Sequence, residues 1–308
     1  MVLIDRFGRP LTHLRISVTQ KCNHKCIFCH MEGIYCDDLN ELSADDWGFL
    51  ANIAYELGIR YYKITGGEPL VRQDIVDIVR NISQYADEVS ITTNGSLLDK
   101  YAQELADAGL SRFNISLHSL NRDVFMEITG GDLRRVLNGI KAAVDTGLPV
   151  KLDYVVMRIN VNEYREIISF AESIGADLNI IELIPLGLAI NDFNKLHTTL
   201  DTIKHYLEKY AVKKYTRRFQ SRPVYVLPSG INITLVSGFC NPELCMNCTR
   251  LRVTPSGKLK TCIYRNDYLI DVGNAIRNRN RESVKRGFEK ANIMREPFFK
   301  SESNVKGK

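Results

Sequence analysis

Six of the eight cysteines in the chain fall into two groups whose spacing is typical of metal ligands. The first group is Cys22, Cys26 and Cys29, a C-x3-C-x2-C motif that directly follows an apolar, β-branched segment. Three closely spaced thiolates without an evident fourth fit an iron–sulfur cluster that leaves one iron open. Structural zinc is the competing interpretation, although it normally takes four ligands. Cysteines of an ordinary core have no reason to recur at this spacing.

The second group is Cys245 and Cys248, a C-x2-C motif, followed by Cys262 after thirteen intervening residues. The segment Pro255-Ser256-Gly257 between them is typical of a hairpin turn, which would bring the ends of the group together. It is again a set of three ligands. Cys36 and Cys240 could be fourth ligands, but they are interpreted as incidental small buried or loop residues. His24 and His30 could also ligate a metal, but they are interpreted as solvated loop residues.

Regularly alternating segments must position these cysteines. The predicted strands are His13–Thr19, Tyr61–Thr65, Val89–Thr93, Arg112–Leu117, Lys151–Val156 and Asn179–Ile184. Helical patterns separate them, at Ser43–Leu57 (with Ser43 as N-cap), Asp74–Tyr85, Leu98–Ala108, Leu133–Thr146 and Asn162–Ile174. Repeated strand–helix units predict an α/β fold with a parallel sheet. Periodicity does not distinguish an incomplete barrel from an open doubly wound sheet.

The pattern changes after about residue 210, which predicts one domain over residues 1–210 and a smaller one over 211–308. The second part contains predicted short strands at Pro223–Leu227, Asn232–Val236, Leu251–Thr254 and Lys258–Cys262. A basic helix is expected from about Arg281 to Lys290, and the tail 301–308 is expected to be disordered.

Composition supports a soluble globular protein, with 44% apolar and 25% charged residues. The net charge of +5 is unevenly placed, because residues 1–210 hold 21 Lys and Arg against 29 Asp and Glu, whereas residues 211–308 hold 20 against 7. The basic last third predicts an anionic partner. No apolar run reaches the roughly 18 residues of a membrane span, and the N-terminus lacks a signal-peptide pattern. We therefore expect a cytoplasmic protein.

The cysteine motif after the first strand, together with Gly66-Gly67-Glu68-Pro69 after the second, resembles the radical S-adenosylmethionine (SAM) superfamily. Five longer segments resemble one family within it, the GTP 3′,8-cyclases of molybdenum cofactor biosynthesis (the MoaA family). They are DRFGRPLTHLRISVTQKCNHKCIFCH, KITGGEPLVRQD, ITTNGSLL, NISLHSL and CMNCTRLRVTPSGKLKTC. This resemblance implies an incomplete (β/α)6 TIM-like barrel with a small C-terminal α+β domain that carries a second iron–sulfur cluster.

The resemblance also implies two 4Fe–4S clusters, SAM as cofactor and GTP as substrate. The cluster ligands would be Cys22, Cys26 and Cys29 for the first and Cys245, Cys248 and Cys262 for the second. The residues that would bind SAM are Phe28, Gly66, Gly67, Glu68, Thr92 and Ser116. Those that would bind GTP are Arg15, Lys63, Lys151, Arg250 and Arg252. Independently of the resemblance, alternation along a strand places Arg250 and Arg252 on one face beside metal ligands.

In the implied reaction, a 5′-deoxyadenosyl radical removes hydrogen from ribose C3′ of GTP, and C3′ then attacks C8 of guanine. The implied partners are an electron donor protein and a downstream cyclic pyranopterin monophosphate synthase, with a homodimer left open. No membrane and no nucleic acid is expected. The surplus positive charge of residues 277–295 lies outside any matched motif and is expected to be solvated surface.

Three positions depart from the family pattern: His118 replaces an expected Asp, Asn179 replaces a frequent Arg, and the chain ends Lys306-Gly307-Lys308 rather than Gly-Gly. Two alternative functions also stay open at this level. One is a radical SAM enzyme with an auxiliary cluster that acts on a peptide or another nucleotide. The other is a zinc-stapled nucleic-acid-binding protein that uses the basic last third.

Overall fold

The computed structural model describes residues 2–35, 40–239 and 241–298. The predictions for Cys36, Cys240 and the tail 301–308 therefore lie outside the described residues. The strands are β1 (His13–Ser17), β2 (Tyr61–Thr65), β3 (Glu88–Thr93), β4 (Arg112–Ser116), β5 (Val150–Val156), β6 (Asp177–Glu182), β7 (Lys213–Arg217), β8 (Arg222–Val226), β9 (Asn232–Val236), β10 (Arg250–Val253), β11 (Lys258–Lys260) and β12 (Leu269–Asp271). The helices are α1 (Ala44–Glu56), α2 (Ile75–Ser83), α3 (Leu98–Asp107), α4 (Arg122–Thr129), α5 (Leu133–Asp145), α6 (Tyr164–Ser173), α7 (Phe193–Leu196), α8 (Asp201–Tyr210), α9 (Pro242–Met246), α10 (Gly273–Arg277) and α11 (Arg281–Ile293).

These strands join one mixed sheet in the order β12-β11-β10-β1-β2-β3-β4-β5-β6-β9-β8-β7. The central strands, from β10 through β1–β6 to β9, are parallel to one another. Antiparallel strands flank them at both edges, β11 and β12 on one side and β8 and β7 on the other. The predicted α/β class with a parallel sheet is confirmed. The pairing of β10 with β1 places a strand of the C-terminal third beside the first strand of the chain.

The central strands have one apolar face and one polar face. In β1, Leu14 and Ile16 are fully buried in the core, whereas Arg15 between them points to the opposite face. The helices pack against the apolar face and form one continuous core with it. On the opposite face, β2 to β6 present in turn Lys63, Thr92, Ser116, Asp153 and Asn179.

The predicted element ends differ from the structure by small shifts. Strand β6 runs over Asp177–Glu182, two residues before the predicted span, because Asp177 already pairs with Lys151 of β5. Ser43 is the N-cap of α1 as predicted, in a capping box with Asp46. Strand β7 was not predicted, since its residues are mostly exposed and therefore show no apolar alternation. Strand β12 and the helices α4, α7, α8, α9 and α10 were also missed.

The helices of the described residues are short compared with a membrane-spanning helix. Helices α1, α5 and α11 each contain 13 residues. Across the described ranges, no helix is both long enough and apolar enough to cross a bilayer.

Candidate active site

A cavity of about 300 Å³ lies on the polar face of the sheet. The six strands β1 to β6 each contribute a polar residue to its lining, namely Arg15, Lys63, Thr92, Ser116, Asp153 and Asn179, and β6 also contributes Glu182. The C-terminal third contributes Arg222, Arg250 and Arg252, and the cysteines Cys245, Cys248 and Cys262. The structure therefore brings the predicted GTP-binding arginines and the second cysteine group together with residues predicted to bind SAM.

The first cysteine group lies on the loop after β1. Cys22 is exposed, whereas Cys26 and Cys29 are partly buried. The loop is held to the end of α4, where the backbone N–H of Lys25 donates to the carbonyl of Thr129 at 2.8 Å. Burial, and after it the neighbouring Cys29 and Cys22, raise the pKa of Cys26 to about 12. The three thiols thus lie within electrostatic reach of one another, and binding a metal there must release protons.

The loop after β2 packs directly against the start of this cysteine loop. The N–H of Gly67 donates to the carbonyl of Thr19 at 2.7 Å. A Cβ atom on Gly67 would lie 2.3 Å from the carbonyl oxygen of Lys21, and one on Gly66 would lie 2.5 Å from that of Thr19. No side chain fits at these distances, so glycine is required here for close backbone approach.

Glu68 is buried beside this contact. Its carboxylate accepts hydrogen bonds from Thr93 Oγ1 at 2.6 Å, from the N–H of Asn94 at 2.6 Å and from the N–H of Leu70 at 3.0 Å. Burial raises the pKa of Glu68 to about 7, although these hydrogen bonds oppose the shift. Gly66, Gly67 and Glu68 adjoin the cysteine loop and are outside the residues that line the cavity.

Two buried arginines hold the backbone of the second cysteine loop. Arg9 donates to the carbonyl of Cys245 at 2.8 Å, and Arg295 donates to the carbonyl of Cys248 at 2.6 Å. Asp5 pairs with Arg9 at 2.8 Å and neutralises part of this charge. The expectation that the charges of residues 277–295 are solvated surface is wrong for Arg295, which is 1% exposed.

Cys248 and Cys262 differ in how their thiols titrate. Burial alone would raise the pKa of Cys248, but the adjacent Arg250 lowers it below its ordinary value. Burial raises the pKa of Cys262, and Arg252 opposes that shift. The arginines of the TRLR segment therefore favour thiolates at the second group, which is the form that ligates iron.

Glu32 links two of the predicted GTP-binding arginines. It accepts hydrogen bonds from Arg15 at 2.5 and 2.9 Å, and it also pairs with Arg252. Thr65 Oγ1 adds a further donor at 3.1 Å. Burial alone would raise the pKa of Glu32, but Arg15 and Arg252 hold it well below its ordinary value. This carboxylate therefore stays ionised and fixes both guanidinium groups at the edge of the cavity.

Three other cations face the cavity without a carboxylate partner among the described residues: Lys63, Arg222 and Arg250. Burial, followed by neighbouring cations, lowers the pKa of all three, to about 10 for Arg222. Asp153 does not compensate them fully, because it also accepts a hydrogen bond from Asn179 at 2.6 Å. A cavity with this excess of cations favours an anionic ligand.

Several buried polar atoms in the cavity lining have no hydrogen-bond partner within the described ranges. They are Thr92 Oγ1, Asn179 Oδ1, Gln220 Oε1, Arg222 Nε and Thr261 Oγ1. Buried polar atoms are otherwise almost always paired. The cavity therefore fits a polar ligand that supplies both donors and acceptors.

The geometry of the two cysteine groups limits the kind of metal centre that they can hold. Within the described part of the chain, no three His, Cys, Asp or Glu side chains converge closely enough to hold a single metal ion. A 4Fe–4S cluster makes a different demand, since each thiolate binds its own iron. The free thiols of both groups and their mutual electrostatic influence fit such a cluster.

His118 occupies the end of the cavity near the first cysteine loop. Its Nδ1 accepts the N–H of Val155 at 3.2 Å, which leaves the proton on Nε2. Its ring stands edge-on to Phe28, with the centroids 4.6 Å apart. Burial lowers the pKa of His118 to about 4. His118 therefore presents a neutral ring to the cavity, with its Nε2–H available as a hydrogen-bond donor.

Lys151 is the predicted GTP-binding residue that the structure does not place in the cavity lining. It lies on the same strand face as Asp153, two residues closer to the start of β5. Its ammonium group pairs with Asp177 at 3.2 Å. A contact between Lys151 and a ligand in this cavity stays a prediction.

Sequence reasoning missed Glu32, Arg222 and Arg295. Glu32 and Arg295 act on residues far away along the chain, so no local pattern identifies them. Arg222 had a usable signal, because strand alternation places it on the same face as Val224, in line with Asn179 of the parallel sheet.

Two family models match the chain. The model of the radical SAM superfamily matches residues 16–171, and the model described as Molybdenum Cofactor Synthesis C matches residues 176–300. A "Probable GTP 3′,8-cyclase" of Saccharolobus solfataricus is 47% identical, with 97% of this chain and 99% of that protein covered. A protein of the same name from Metallosphaera sedula is 43% identical, with 97% of each chain covered.

Solved structures share the fold at low sequence identity. Streptococcus suis SuiB bound to S-adenosylmethionine aligns with a TM-score of 0.68 at 18% identity, over 87% of this chain and 65% of that one. The enzyme anSMEcpe with bound AdoMet aligns with a TM-score of 0.61 at 14% identity, over 90% and 84%. At this level of identity the likeness concerns the fold alone.

Proposed function

The chain belongs to the radical SAM superfamily, and from this we propose that it converts GTP into 3′,8-cyclo-7,8-dihydro-GTP, the first step of molybdenum cofactor biosynthesis. Relatives that bear the name of this activity match it over nearly the whole of both chains. The superfamily implies one 4Fe–4S cluster and SAM. The alternative of a zinc-stapled nucleic-acid-binding protein loses its support, because that function does not account for the superfamily match.

We assign the cofactors to the two cysteine groups and the SAM-side residues. Cys22, Cys26 and Cys29 would hold the first cluster, and Cys245, Cys248 and Cys262 would hold a second one. SAM would be bound by the backbone of Gly66 and Gly67, by Glu68, and beside Phe28, Thr92 and Ser116. When bound, the first cluster and SAM supply the radical that removes hydrogen from ribose C3′ of GTP. The unpaired hydroxyl of Thr92 supports a polar ligand at this end of the cavity.

The task of the protein is to hold GTP so that C3′ and C8 approach each other. Arg15 and Arg252, fixed by Glu32, would bind phosphate oxygens in a set orientation. Lys63 and Arg250, which lack carboxylate partners among the described residues, would gain countercharge from the triphosphate. Cations that are already in place need not reorient during the reaction, whereas water molecules around the phosphates would have to.

One observation carries this proposal. A single cavity is lined by Thr92 and Ser116 from the strand ends, by Arg250 and Arg252, and by the second cysteine group. A radical formed near the first group and an anionic nucleotide near the second would meet there. Enzymes hold reacting groups close and correctly oriented in this way to lower the barrier.

The proposal is tested by anaerobic reconstitution with iron and sulfide, followed by incubation with SAM, a reductant and GTP. We expect 5′-deoxyadenosine to form only with GTP and to accompany the cyclised nucleotide, with ATP as the control nucleotide. If 5′-deoxyadenosine forms equally with and without GTP, the assignment is contradicted, and a radical SAM enzyme with another substrate is favoured. The variant C248S should lose cyclisation and the iron of the second group only.

The remaining proposals concern architecture and partners. We propose that residues 1–210 form an incomplete barrel and that residues 211–308 form the part with the auxiliary cluster. An electron donor protein, a downstream synthase and a homodimer stay predictions, as does the cytoplasmic location.

A further inference from the structure

Arg222 starts strand β8, three residues after Phe219, whose ring stacks on His13 of β1 and lies under the guanidinium of Arg250. The register pairs Val224 of β8 with Thr234 of β9, and Thr234 with Asn179 of β6. Residues two apart share a strand face. Arg222 therefore shares the polar face with Asn179, and it lines the same cavity as Arg15 and Arg250.

The guanidinium of Arg222 lacks the partners that such a group ordinarily has. Its Nε is buried without a hydrogen bond, and in the described part of the chain no carboxylate pairs with it. The nearest charges that act on it are the cations Arg217 and Arg15, together with Asp153 and Cys248. An unsatisfied buried donor of this kind destabilises a protein. A ligand that accepts hydrogen bonds removes that cost.

The charge of Arg222 persists in the cavity. Burial and then Arg217 lower its pKa to about 10, so the group stays protonated at neutral pH. Asp153 is the carboxylate that acts on Arg222, but it forms no ion pair with it within the described residues and accepts a hydrogen bond from Asn179 at 2.6 Å. The ligand that would meet Arg222 is therefore an anion with several acceptor oxygens.

Because a guanidinium matches phosphate oxygens in a bidentate way, we propose that Arg222 binds the triphosphate of the nucleotide substrate together with Arg15, Arg250 and Arg252. This inference rests on the proposed function. Arg222 would thus be a substrate-binding residue outside the motifs that identify the family, and it would add a fourth guanidinium to those of Arg15, Arg250 and Arg252.

The experiment measures equilibrium binding of GTP and of guanosine to the anaerobically reconstituted holoenzyme. The variants are R222Q and R222K, and the matched control is R218Q, which removes an exposed arginine from the same β7–β8 connection. We expect R222Q to weaken GTP binding by about 10- to 100-fold and to leave guanosine binding within about twofold. R222K should fall between R222Q and the unchanged protein, because it keeps the charge without the bidentate fork.

Three results would overturn the assignment. Unchanged GTP binding by R222Q would show that Arg222 does not contact the nucleotide. An equal loss for GTP and guanosine would place Arg222 at the base or in the structure rather than at the phosphates. A loss of iron or sulfide in both Arg222 variants would make it a support of the cysteine loop. If the unchanged protein and R218Q themselves fail to bind GTP, the proposed function is wrong, whereas tight GTP binding by all proteins refutes the role of Arg222 alone.

Discussion

Replacement of Glu32 by Gln tests whether the buried Arg15–Glu32–Arg252 network organises the site. The Glu32 side chain is 5% exposed, and those of Arg15 and Arg252 are 15% and 13% exposed. Removing one partner of a buried ion pair costs about 3–5 kcal/mol. With an unfolding entropy of about 2.1 cal/mol/K per residue, the free energy of unfolding of a chain of 308 residues changes by roughly 0.65 kcal/mol per kelvin near Tm. We therefore expect E32Q to lower Tm by roughly 5–8 °C.

The matched control is E56Q. Glu56 also pairs with two cations, Arg281 and Lys285, but its side chain is 43% exposed. Water and salt screen such a pair, so Tm should change by no more than about 1–2 °C. Melting is followed by circular dichroism in proteins of equal iron and sulfide content. If E32Q and E56Q shift Tm equally, burial does not give the Glu32 network its strength and the reasoning is wrong.

Three further predictions concern the loops and the cavity. G67A should lose about half of the iron and sulfide, because its Cβ would lie 2.3 Å from the carbonyl oxygen of Lys21. The control G147A should keep both, since its Cβ would meet no atom within 4 Å. Equal iron content in the two variants would contradict the role of the close contact at Gly67. T92V removes a buried hydroxyl without a described partner, so it should keep its free energy of unfolding and weaken SAM binding by about 5- to 10-fold, measured by equilibrium dialysis. The pKa of Lys63 is held well below its ordinary value by burial and by neighbouring arginines. A triphosphate raises that pKa, so GTP binding should be accompanied by proton uptake and should weaken as pH rises through the pKa of Lys63. Calorimetry in buffers of different ionisation enthalpy measures this uptake, which K63M should lack; proton release instead would refute it.

The local pattern of the sequence was sufficient for most of the sheet and part of the site. Alternation places Arg250 and Arg252 on one face of β10, and both line the cavity. That prediction needed only the period of a strand. Thr92 and Ser116 line the cavity too, but they were implied by the family resemblance. Strand β7 escaped prediction, because an exposed edge strand has no buried face to produce a pattern.

Long-range pairing explains what the sequence did not reveal. Glu32 meets Arg252 across 220 residues, and nothing near Glu32 in the chain marks it as the partner of an arginine. Lys151 and Lys63 are both lysines on central parallel strands, and both were predicted to bind GTP. Lys151, however, pairs with Asp177 and lies outside the cavity lining. Which cation meets a carboxylate and which is left for a ligand depends on packing between distant strands.

The position of β1 between β2 and β10 has a consequence for biogenesis. Thr249 contacts His13 across 236 residues, so the strand that precedes the first cysteine loop waits for almost the whole chain before its second neighbour leaves the ribosome. Until then β1 is an unpaired edge, which favours association with other chains. Pairing across so long a separation is also slow. We expect chaperones to engage the nascent chain during this interval, and we expect cluster insertion to follow translation rather than accompany it.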